Sequence, residues 1–313
     1  EIDSYMRAAG GFLRKSDLSA FKPEWVTPLT TAFRGYDIWE LPPNGQGMIT
    51  LMALNILDGI TLPALDDPKS WHLQIEAIKL AAADAYHYIA DPRTGMAVTP
   101  HQLLSAAYAQ RRRAMIMDQA LLPTVGNPTD GGTVYLCTAD ADGNMVSYIQ
   151  SNYNGFGSGI VVPGTGIALH NRGSGFYLDE RSPNCLAPGK RPYHTIIPGF
   201  ISKNGQPVAP FGVMGAYMQP QGHLQVVLKM LEYGQNPQSA LDAPRWYWAG
   251  ERNVSLEHGV PLYIARALEQ MGHCVSYSVD RAPFGRGQII WRQQNGVYAG
   301  GTDPRCDGAV VAQ

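Results

Sequence analysis

The sequence has few charged residues and no excess of either sign. Charged side chains make up 16% of the 313 residues, and 24 Lys and Arg are balanced by 26 Asp and Glu, for a net charge of −2. Because nucleic acids are bound through a positive surface, a nearly neutral chain argues against nucleic acid as a partner. The one basic run, residues 111–113, falls in a helical pattern and is expected to be a solvated helix face.

Long hydrophobic runs are also absent. No segment approaches the roughly 18 consecutive apolar residues of a membrane-spanning helix, so we expect no membrane partner. Hydrophobic residues nevertheless form 45% of the chain, which is enough for a sizeable core. The chain opens on Glu1 inside a helical pattern, without a Met, and we expect it to be part of a longer protein.

Cysteines are few and scattered. The four of them, Cys137, Cys185, Cys274 and Cys306, form no CxxC pair and show no metal-ligand spacing. We expect reduced, mostly buried thiols, which favours a cytoplasmic location. The eight histidines contain no HExxH pattern, so we predict no metal site and no cofactor.

Helical patterns dominate the first 120 residues. They are GMITLMALNILDGI, DDPKSWHLQIEAIKLAAADAYHYIAD and TPHQLLSAAYAQRRRAMIMDQA. The second has Asp66, Asp67 and Ser70 as candidate caps, and the third begins Thr-Pro, as an N-cap and first helical residue do. The breaker-rich LLPTVGNPTDGG then ends the helical part.

From Thr133 the hydrophobic period becomes that of strands. TVYLCTAD and NMVSYIQS flank ADGN, which is a strong hairpin signal. Further strands are predicted around GIALHN, TIIPGFIS, QPVAPFGV, HCVSYSV, GQIIWRQQ and GVYAGGTD, with helices in PQGHLQVVLKMLEYG and PLYIARALEQMGH. This order predicts an α+β fold in which helices cover antiparallel sheets.

The junction Gly131-Gly132-Thr133 has two interpretations. It is either an ordinary start of a strand or a peptide bond that is meant to break. An N-terminal threonine combines a nucleophilic hydroxyl with an α-amino base whose pKa is about 8. Glycine before the cut suits the strained backbone that cleavage requires. The tripeptide alone leaves both interpretations open.

The surroundings of Thr133 resemble the start of the small subunit in the γ-glutamyltransferase family of N-terminal-nucleophile hydrolases. The similar stretch is VYLCTADADGNMVSYIQSNYNGFGSGIVVPGTGIALHN, and similarity continues through APGKRPYHTIIPGF, FGVMGAYMQPQGHLQVVLKMLEYGQNPQSALDAPRW and GGTDPR. Upstream, GGFLRKSDLSAFKPEWVTPLTTAFRGYDIWELPPNGQG is similar to the late part of the large subunit. The motifs follow the family order over nearly the whole chain.

This resemblance implies a four-layer αββα sandwich and autocatalytic cleavage between Gly132 and Thr133. Residues 1–132 would be the C-terminal part of the large subunit and residues 133–313 the small catalytic subunit, together one domain. The two subunits would come from one precursor, and a homo-oligomer of such heterodimers is left open. The implied chemistry is amide hydrolysis or acyl transfer through an acyl-threonine.

The resemblance also assigns roles to individual residues. Thr133 takes the place of the nucleophile, and Ser151 matches the hydroxyl residue that supports it. Gly215 and Ala216 match the glycine pair whose backbone N–H groups form the oxyanion hole, and alanine still supplies an N–H. A sheet-surface serine and a turn glycine are the structural alternatives for Ser151 and Gly215.

The residues that grip a γ-glutamyl group are largely missing. Arg172 and Gly175 stand where the family has amide and carboxylate side chains, His194 and Thr195 replace a serine pair, and Tyr153 replaces an asparagine. An arginine here repels an α-ammonium group and favours a carboxylate, which it holds with two parallel hydrogen bonds. The alternative for Arg172 is a salt bridge to Asp179 or Glu180.

With these replacements the sequence resembles the oxamate amidohydrolase-like branch of the family, which acts in purine degradation. We therefore expect hydrolysis of the amide of a small carboxylate substrate, with oxamate, split to oxalate and ammonia, as the best candidate. The short segment between Phe176 and Lys190 favours water over a second amino acid as the acceptor. The alternatives are a γ-glutamyl hydrolase or transpeptidase acting on glutathione-like substrates, a glutaryl-type acylase, and an uncleaved, inactive homologue that acts as a binding protein.

Overall fold

Residues 1–123 and 132–312 are described by the structure, which is a computed structural model. The end of the breaker-rich segment, including Gly131, lies outside these residues. The helices are α1 (Ile2–Ala8), α2 (Lys15–Ala20), α3 (Met48–Asp58), α4 (Pro68–Tyr88), α5 (Pro100–Leu103), α6 (Ala106–Arg113), α7 (Met218–Leu231), α8 (Pro237–Asp242) and α9 (Leu262–Gln270). The strands are β1 (Leu29–Phe33), β2 (Tyr36–Glu40), β3 (Gly132–Ala139), β4 (Met145–Tyr153), β5 (Val161–Val162), β6 (Ile167–Ala168), β7 (Gly199–Lys203), β8 (Gln206–Met214), β9 (Trp246–Gly250), β10 (Asn253–Glu257), β11 (Cys274–Ser278), β12 (Arg286–Arg292) and β13 (Tyr298–Thr302).

A six-stranded antiparallel sheet forms the centre of the molecule. Its strand order is β1-β2-β7-β8-β12-β13, so strands from both sides of Thr133 belong to one sheet. The β1–β2 hairpin was not predicted, and the expectation that the first 120 residues are largely helical is wrong for this segment. Its turn has left-handed backbone at Arg34 (φ 50°) and Gly35 (φ 79°), a geometry that matches the twist of paired strands.

The two faces of β8 define the order of the layers. Val213 faces α7, because a side chain on Gly222 of that helix would meet it at 2.6 Å. Gly212, which points the opposite way, is covered by the ring of Tyr135 from β3. The helices α3 and α7 therefore lie on one face of the sheet and the β3–β4 hairpin on the other, as an αββα sandwich requires. The predicted α+β fold is confirmed.

The predicted helices are present with one difference, and α2 and α8 were not predicted. Helix α3 is buried on almost every side, and Asp67 caps α4 by accepting a hydrogen bond from Lys69 N at 2.8 Å. The third predicted helix is instead two, because Ser105 interrupts it and caps α6. The basic run was also misjudged, since Arg113 binds the carbonyls of Asn55 and Ile56 at the end of α3.

A small second sheet, with order β11-β10-β9, contains two strands that the sequence patterns did not predict, β9 and β10. The hairpin β3–β4 and its Asp-Gly-Asn turn are confirmed, with Asp140 Oδ1 accepting from Asn144 N at 2.8 Å. The four cysteines are unpaired, but none is fully buried and Cys274 is exposed, so that part of the expectation is wrong. None of the helices in the described parts of the chain is long and apolar enough to cross a membrane.

Candidate active site

Thr133 lies at an irregularity of the β3–β4 hairpin. Gly132 pairs with Tyr153 and Val134 with Gln150, so β4 carries one extra residue opposite Thr133. Such bulges redirect side chains and are common beside active sites. Here the bulge brings the Thr133 and Ser151 hydroxyls together, with Thr133 Oγ1 donating to Ser151 Oγ at 3.1 Å.

The Thr133 side chain is 7% exposed, and the Ser151 oxygen beside it also accepts from Tyr153 N at 2.8 Å. In the uncut chain the nitrogen of Thr133 is a peptide amide and cannot act as a base. Cleavage before Thr133 would convert it into an amine with a pKa of about 8. The hydroxyl pair and a free amine are the parts that an N-terminal nucleophile needs.

Gly215 and Ala216 form a strained turn between β8 and α7. Their φ angles are 144° and 48°, and their carbonyls accept from Met218 N at 2.8 Å and Gln219 N at 3.2 Å as α7 begins. Neither the Gly215 nor the Ala216 N–H donates to another described residue. Two consecutive N–H groups beside a helix N-terminus are suited to an oxyanion.

Arg172 is buried without a carboxylate partner among the described residues. It is 5% exposed, and its Nη1 donates to Thr195 Oγ1 at 2.9 Å while Nη2 has no partner there. The guanidinium lies 4.8 Å from the centre of the Tyr153 ring. The alternative, a salt bridge from Arg172 to Asp179 or Glu180, is not formed among the described residues, and Asp179 instead pairs with Arg181 at 2.7 Å.

Two histidines beside Arg172 present hydrogen-bond donors. His170 Nδ1 accepts from Arg172 N at 3.2 Å, and His194 Nδ1 accepts from Ile196 N at 3.1 Å, so the neutral rings carry their protons on Nε2. Burial, the Arg172 charge and His170 lower the pKa of His194 to about 3. Burial and Arg172 also lower the pKa of His170. Both rings are therefore neutral donors at neutral pH.

Two clefts meet at Ser151. The first, about 1000 Å³, is lined by Thr133, Ser151 and Met214 together with Arg281 and Arg286. Met214 directly precedes the Gly215-Ala216 turn, so the cleft extends from the predicted nucleophile to the end of β8 that leads into this turn, although neither Gly215 nor Ala216 lines it.

The second cleft, about 510 Å³, is lined by Ser151, His170, Arg172, Arg191 and His194. The predicted nucleophile and the predicted carboxylate-binding residue therefore lie in different clefts, connected through Ser151. Of the other predicted binding residues, Thr195 and Tyr153 contact the Arg172 guanidinium but line neither cleft.

A buried ionic network supports the oxyanion turn from the side of Gly285. Arg245 donates to the carbonyls of Phe284 and Gly285 and pairs with Asp303 at 2.6 Å, and both charged groups are fully buried. A side chain on Gly215 would lie 3.0 Å from Gly285 Cα. The family motifs DAPRW and GGTDPR thus meet beneath the turn.

One group of buried side chains has the spacing of a metal site. Ligand atoms of His72, Glu76 and His273 lie within 4.8 Å of one another. The sequence pattern did not indicate this group, because His273 lies 201 positions from His72. The ammonium of Lys79 already binds Glu76 Oε1 at 2.7 Å and lies 3.4 Å from His273 Nδ1. Since a lysine cation takes the place that a metal would need, the group is best described as a buried ion pair.

The sequence patterns did not single out several residues around the second cleft. Asn44, Arg191 and His170 line it, and Gln46 lies just beneath it, fully buried. Asn44 and Gln46 belong to PPNGQG, the loop between β2 and α3. That motif was part of the upstream resemblance, but its spacing by itself indicates only a turn.

Comparisons with known proteins show to which family the chain belongs. The family model described as Gamma-glutamyltranspeptidase matches residues 1–313. The glutathione hydrolase-like YwrD proenzyme of Bacillus subtilis is 35% identical over 99% of this chain, and the oxamate amidohydrolase proenzyme of Klebsiella pneumoniae is 36% identical over 98%. The chain spans 60% and 59% of the lengths of these two relatives.

Among solved structures, a cephalosporin acylase from Bacillus halodurans matches the whole chain with 54% identity and a TM-score of 0.95. The present chain covers 57% of that structure. The fold is thus that of the N-terminal-nucleophile hydrolases, as predicted. Because the family model matches every residue and the sequence and structural relatives agree with it, the chain belongs to the γ-glutamyltranspeptidase family.

Proposed function

We propose that the protein hydrolyses the amide of a small substrate that carries a carboxylate, after cleavage between Gly132 and Thr133. The freed amine of Thr133 takes the hydroxyl proton as Oγ1 attacks the amide carbon. The N–H groups of Gly215 and Ala216 stabilise the oxyanion, and the proton passes to the leaving nitrogen as the C–N bond breaks. Water then hydrolyses the acyl-threonine ester and releases the acid.

The observation that carries this proposal is the uncompensated charge of Arg172. Burial lowers the pKa of Arg172 to about 10, while the nearby Tyr153 and Tyr217 act in the opposite sense, so the side chain remains a cation at neutral pH. A buried charge without a counter-ion is unfavourable, and a substrate carboxylate would supply that counter-ion. The unpaired Nη2 is available for one of two parallel hydrogen bonds.

Oxamate is the best candidate among such substrates. Its carboxylate is joined directly to its amide, so oxamate would have to bind where the two clefts meet at Ser151, within reach of both Thr133 and Arg172. The neutral rings of His170 and His194 add donors for the same anion. The 36% identical oxamate amidohydrolase proenzyme supports this choice.

A second candidate, a glutaryl-type acylase, is favoured by the size of the second cleft. At about 510 Å³ it has room for a longer acyl chain than that of oxamate. The 54% identical structure of a cephalosporin acylase supports the same alternative. Both candidates need a carboxylate at Arg172, so they share the charge argument and differ in chain length.

A γ-glutamyl substrate fits less well. Its α-ammonium needs an acidic partner, and among the described residues that line the second cleft the acid is Glu24, which pairs with Arg191 at 3.0 Å. Arg172 would repel the same ammonium. We therefore expect slow turnover of γ-glutamyl anilide.

Ammonia or amine release from oxamate, a glutaryl amide and γ-glutamyl anilide tests the substrate. Arg172→Met should weaken binding of the preferred substrate by about 2–5 kcal/mol. Arg172→Lys should weaken it by less, because lysine keeps the positive charge and loses only the two parallel hydrogen bonds of the guanidinium. Arg181→Met is the matched control, since its side chain is 91% exposed and pairs only with Asp179 in the described structure. Efficient γ-glutamyl turnover, or indifference to Arg172→Met, would refute the carboxylate assignment.

Denaturing gel electrophoresis tests the cleavage and separates an enzyme from an uncleaved binding protein. The wild-type protein should give a fragment that begins at Thr133. Thr133→Ala should remain one chain and lose turnover, while Thr133→Ser should keep part of both, because a hydroxyl remains. A fragment that begins elsewhere, or full activity in the alanine variant, would contradict the nucleophile assignment.

A further inference from the structure

We infer that Gln46 is a positioning residue that fixes the oxyanion turn and the carboxylate-binding segment relative to each other. Its side chain is fully buried and its Nε2 donates to two carbonyls, Ala216 O at 2.8 Å and Thr195 O at 3.0 Å. These carbonyls belong to the two segments that meet the reacting amide and the substrate carboxylate. The inference rests on the proposed amide hydrolysis but not on oxamate as its substrate.

Every hydrogen-bonding atom of the Gln46 amide is used. An amide has two N–H donors, and both point at carbonyls, while Oε1 accepts from the hydroxyl of Tyr193. The backbone adds a further tie, because Gln46 N donates to His194 O at 3.0 Å. A residue that merely filled space would not need this full set of partners.

The contact with Ala216 matters because Ala216 is held in a left-handed conformation. Its φ is 48°, a region that β-carbon crowding makes unfavourable for residues other than glycine. In this conformation the N–H groups of Gly215 and Ala216 follow one another at the start of α7. The Gln46 bond to Ala216 O opposes relaxation of the turn, which would turn the predicted oxyanion donors away.

The contact with Thr195 reaches the other segment. Thr195 is 2% exposed, and its hydroxyl accepts from Arg172 Nη1 at 2.9 Å. A shift of Thr195 would therefore move the guanidinium. Gln46 precedes the predicted cut and both segments follow it, so a residue of the predicted large subunit sets the geometry of the small one.

Gln46→Leu in the full-length protein, with steady-state kinetics on the amide that the wild type hydrolyses best, tests the inference. The variant should lose about 10²-fold in kcat, because a displaced oxyanion donor acts on the transition state, and KM should rise by a smaller factor. Gln46→Glu keeps the shape but removes both donors and should lose a similar factor.

Gln225→Leu is the matched control. Gln225 is equally buried, donates from Nε2 to two carbonyls, Gln221 O at 3.2 Å and Trp246 O at 2.9 Å, and accepts from Trp246 N. These bonds join α7 to β9 and touch neither cleft. Gln225→Leu should therefore lower the denaturant midpoint as much as Gln46→Leu does, but leave kcat unchanged.

A second arm tests the left-handed turn. Glycine adopts this conformation without strain, so the double variant Gln46→Leu, Ala216→Gly should have a kcat about tenfold higher than that of Gln46→Leu. The kcat loss caused by Gln46→Leu should likewise be smaller when the double variant is compared with Ala216→Gly alone. Equal kcat losses for Gln46→Leu and Gln225→Leu, or no recovery in the double variant, would overturn the positioning role. Turnover of another amide in place of oxamate, with the same Gln46 dependence, would refute only the proposed substrate. A wild-type protein that hydrolyses none of the amides would overturn both proposals.

Discussion

Two residues other than glycine have left-handed backbone at the candidate site, Tyr153 (φ 81°) and Ala216 (φ 48°). This conformation costs about 1–2 kcal/mol for each such residue. Both are held by hydrogen bonds, since Tyr153 N donates to Ser151 Oγ and Gln46 donates to Ala216 O. These hydrogen bonds therefore offset the backbone strain. The left-handed conformation of Tyr153 places its ring beside the Arg172 guanidinium.

The ring of Tyr153 should matter for substrate affinity more than its hydroxyl. Tyr153→Leu removes the aromatic face from Arg172, and because a cation–π contact contributes about 0.5–2 kcal/mol, KM should rise roughly 2- to 30-fold. Tyr153→Phe keeps the face and should leave KM nearly unchanged. Kinetics of both variants measure the effect, and equal KM values for them would contradict a role for the ring.

At the level of elements, the oxyanion turn joins the end of β8 to the start of α7. Gly215 (φ 144°) is packed so closely that a Cβ would lie 3.0 Å from Gly285 Cα. Gly285 in turn is held by Arg245, which binds its carbonyl at 3.1 Å. The turn is thus confined between the helix and the buried ionic network, which leaves little room for a side chain at Gly215.

Gly215→Val should therefore reduce both catalysis and stability. If the N–H is displaced, kcat should fall by about 10²–10³. Backbone strain should also lower the free energy of unfolding by about 1–3 kcal/mol.

Gly164→Val is the control for this prediction. Gly164 also has a positive φ (76°), but nothing lies within 4 Å of its Cβ position. It should lose stability without losing kcat. Unchanged activity in Gly215→Val would place the oxyanion hole elsewhere.

At the level of the whole molecule, buried charges connect segments that are distant in the sequence. Asp303 binds Arg245, Arg305 and the N–H of Gly287, and Arg305 also pairs with Glu257. Burial by itself raises the pKa of the Asp303 carboxyl, but the two arginines and the Gly287 N–H outweigh it, and the pKa lies below its ordinary value. The charged form is therefore the one that the fold stabilises.

The network predicts a loss of stability in acid. Because the pKa of Asp303 is lower in the folded than in the unfolded state, its contribution is complete above a pH of about 4 and is lost as the pH falls through the folded value. Asp303→Asn should cost about 3–5 kcal/mol at neutral pH, since it leaves buried arginines without their partner. Denaturant unfolding at pH 7 and pH 3 should show a smaller difference between variant and wild type in acid. A difference that does not change with pH would contradict this assignment.

Much of the fold could be predicted from local sequence, because local chemistry determines where several helices begin and where a hairpin turns. The Asp-Gly-Asn turn predicts the β3–β4 hairpin, and Asp67 and Thr99-Pro100 mark helix starts. Gly-Gly-Thr with its following motifs predicts Thr133 as the nucleophile. The strands β1, β2, β9 and β10 form two local hairpins, but they were missed because each strand has only five residues. Pairing of β2 with β7 and of β10 with β11 then joins these hairpins to their sheets.

The sequence by itself determined the family, the α+β class and the candidate nucleophile, since each depends on residue types in a fixed order. Only the tertiary structure decided that Arg172 has no carboxylate partner in the described chain and that His170 and His194 are neutral donors beside it. The role of Gln46 was equally invisible, because its partners are 149 and 170 positions away. Burial and hydrogen bonding between distant segments set these properties, and neither is encoded in the spacing of neighbouring residues.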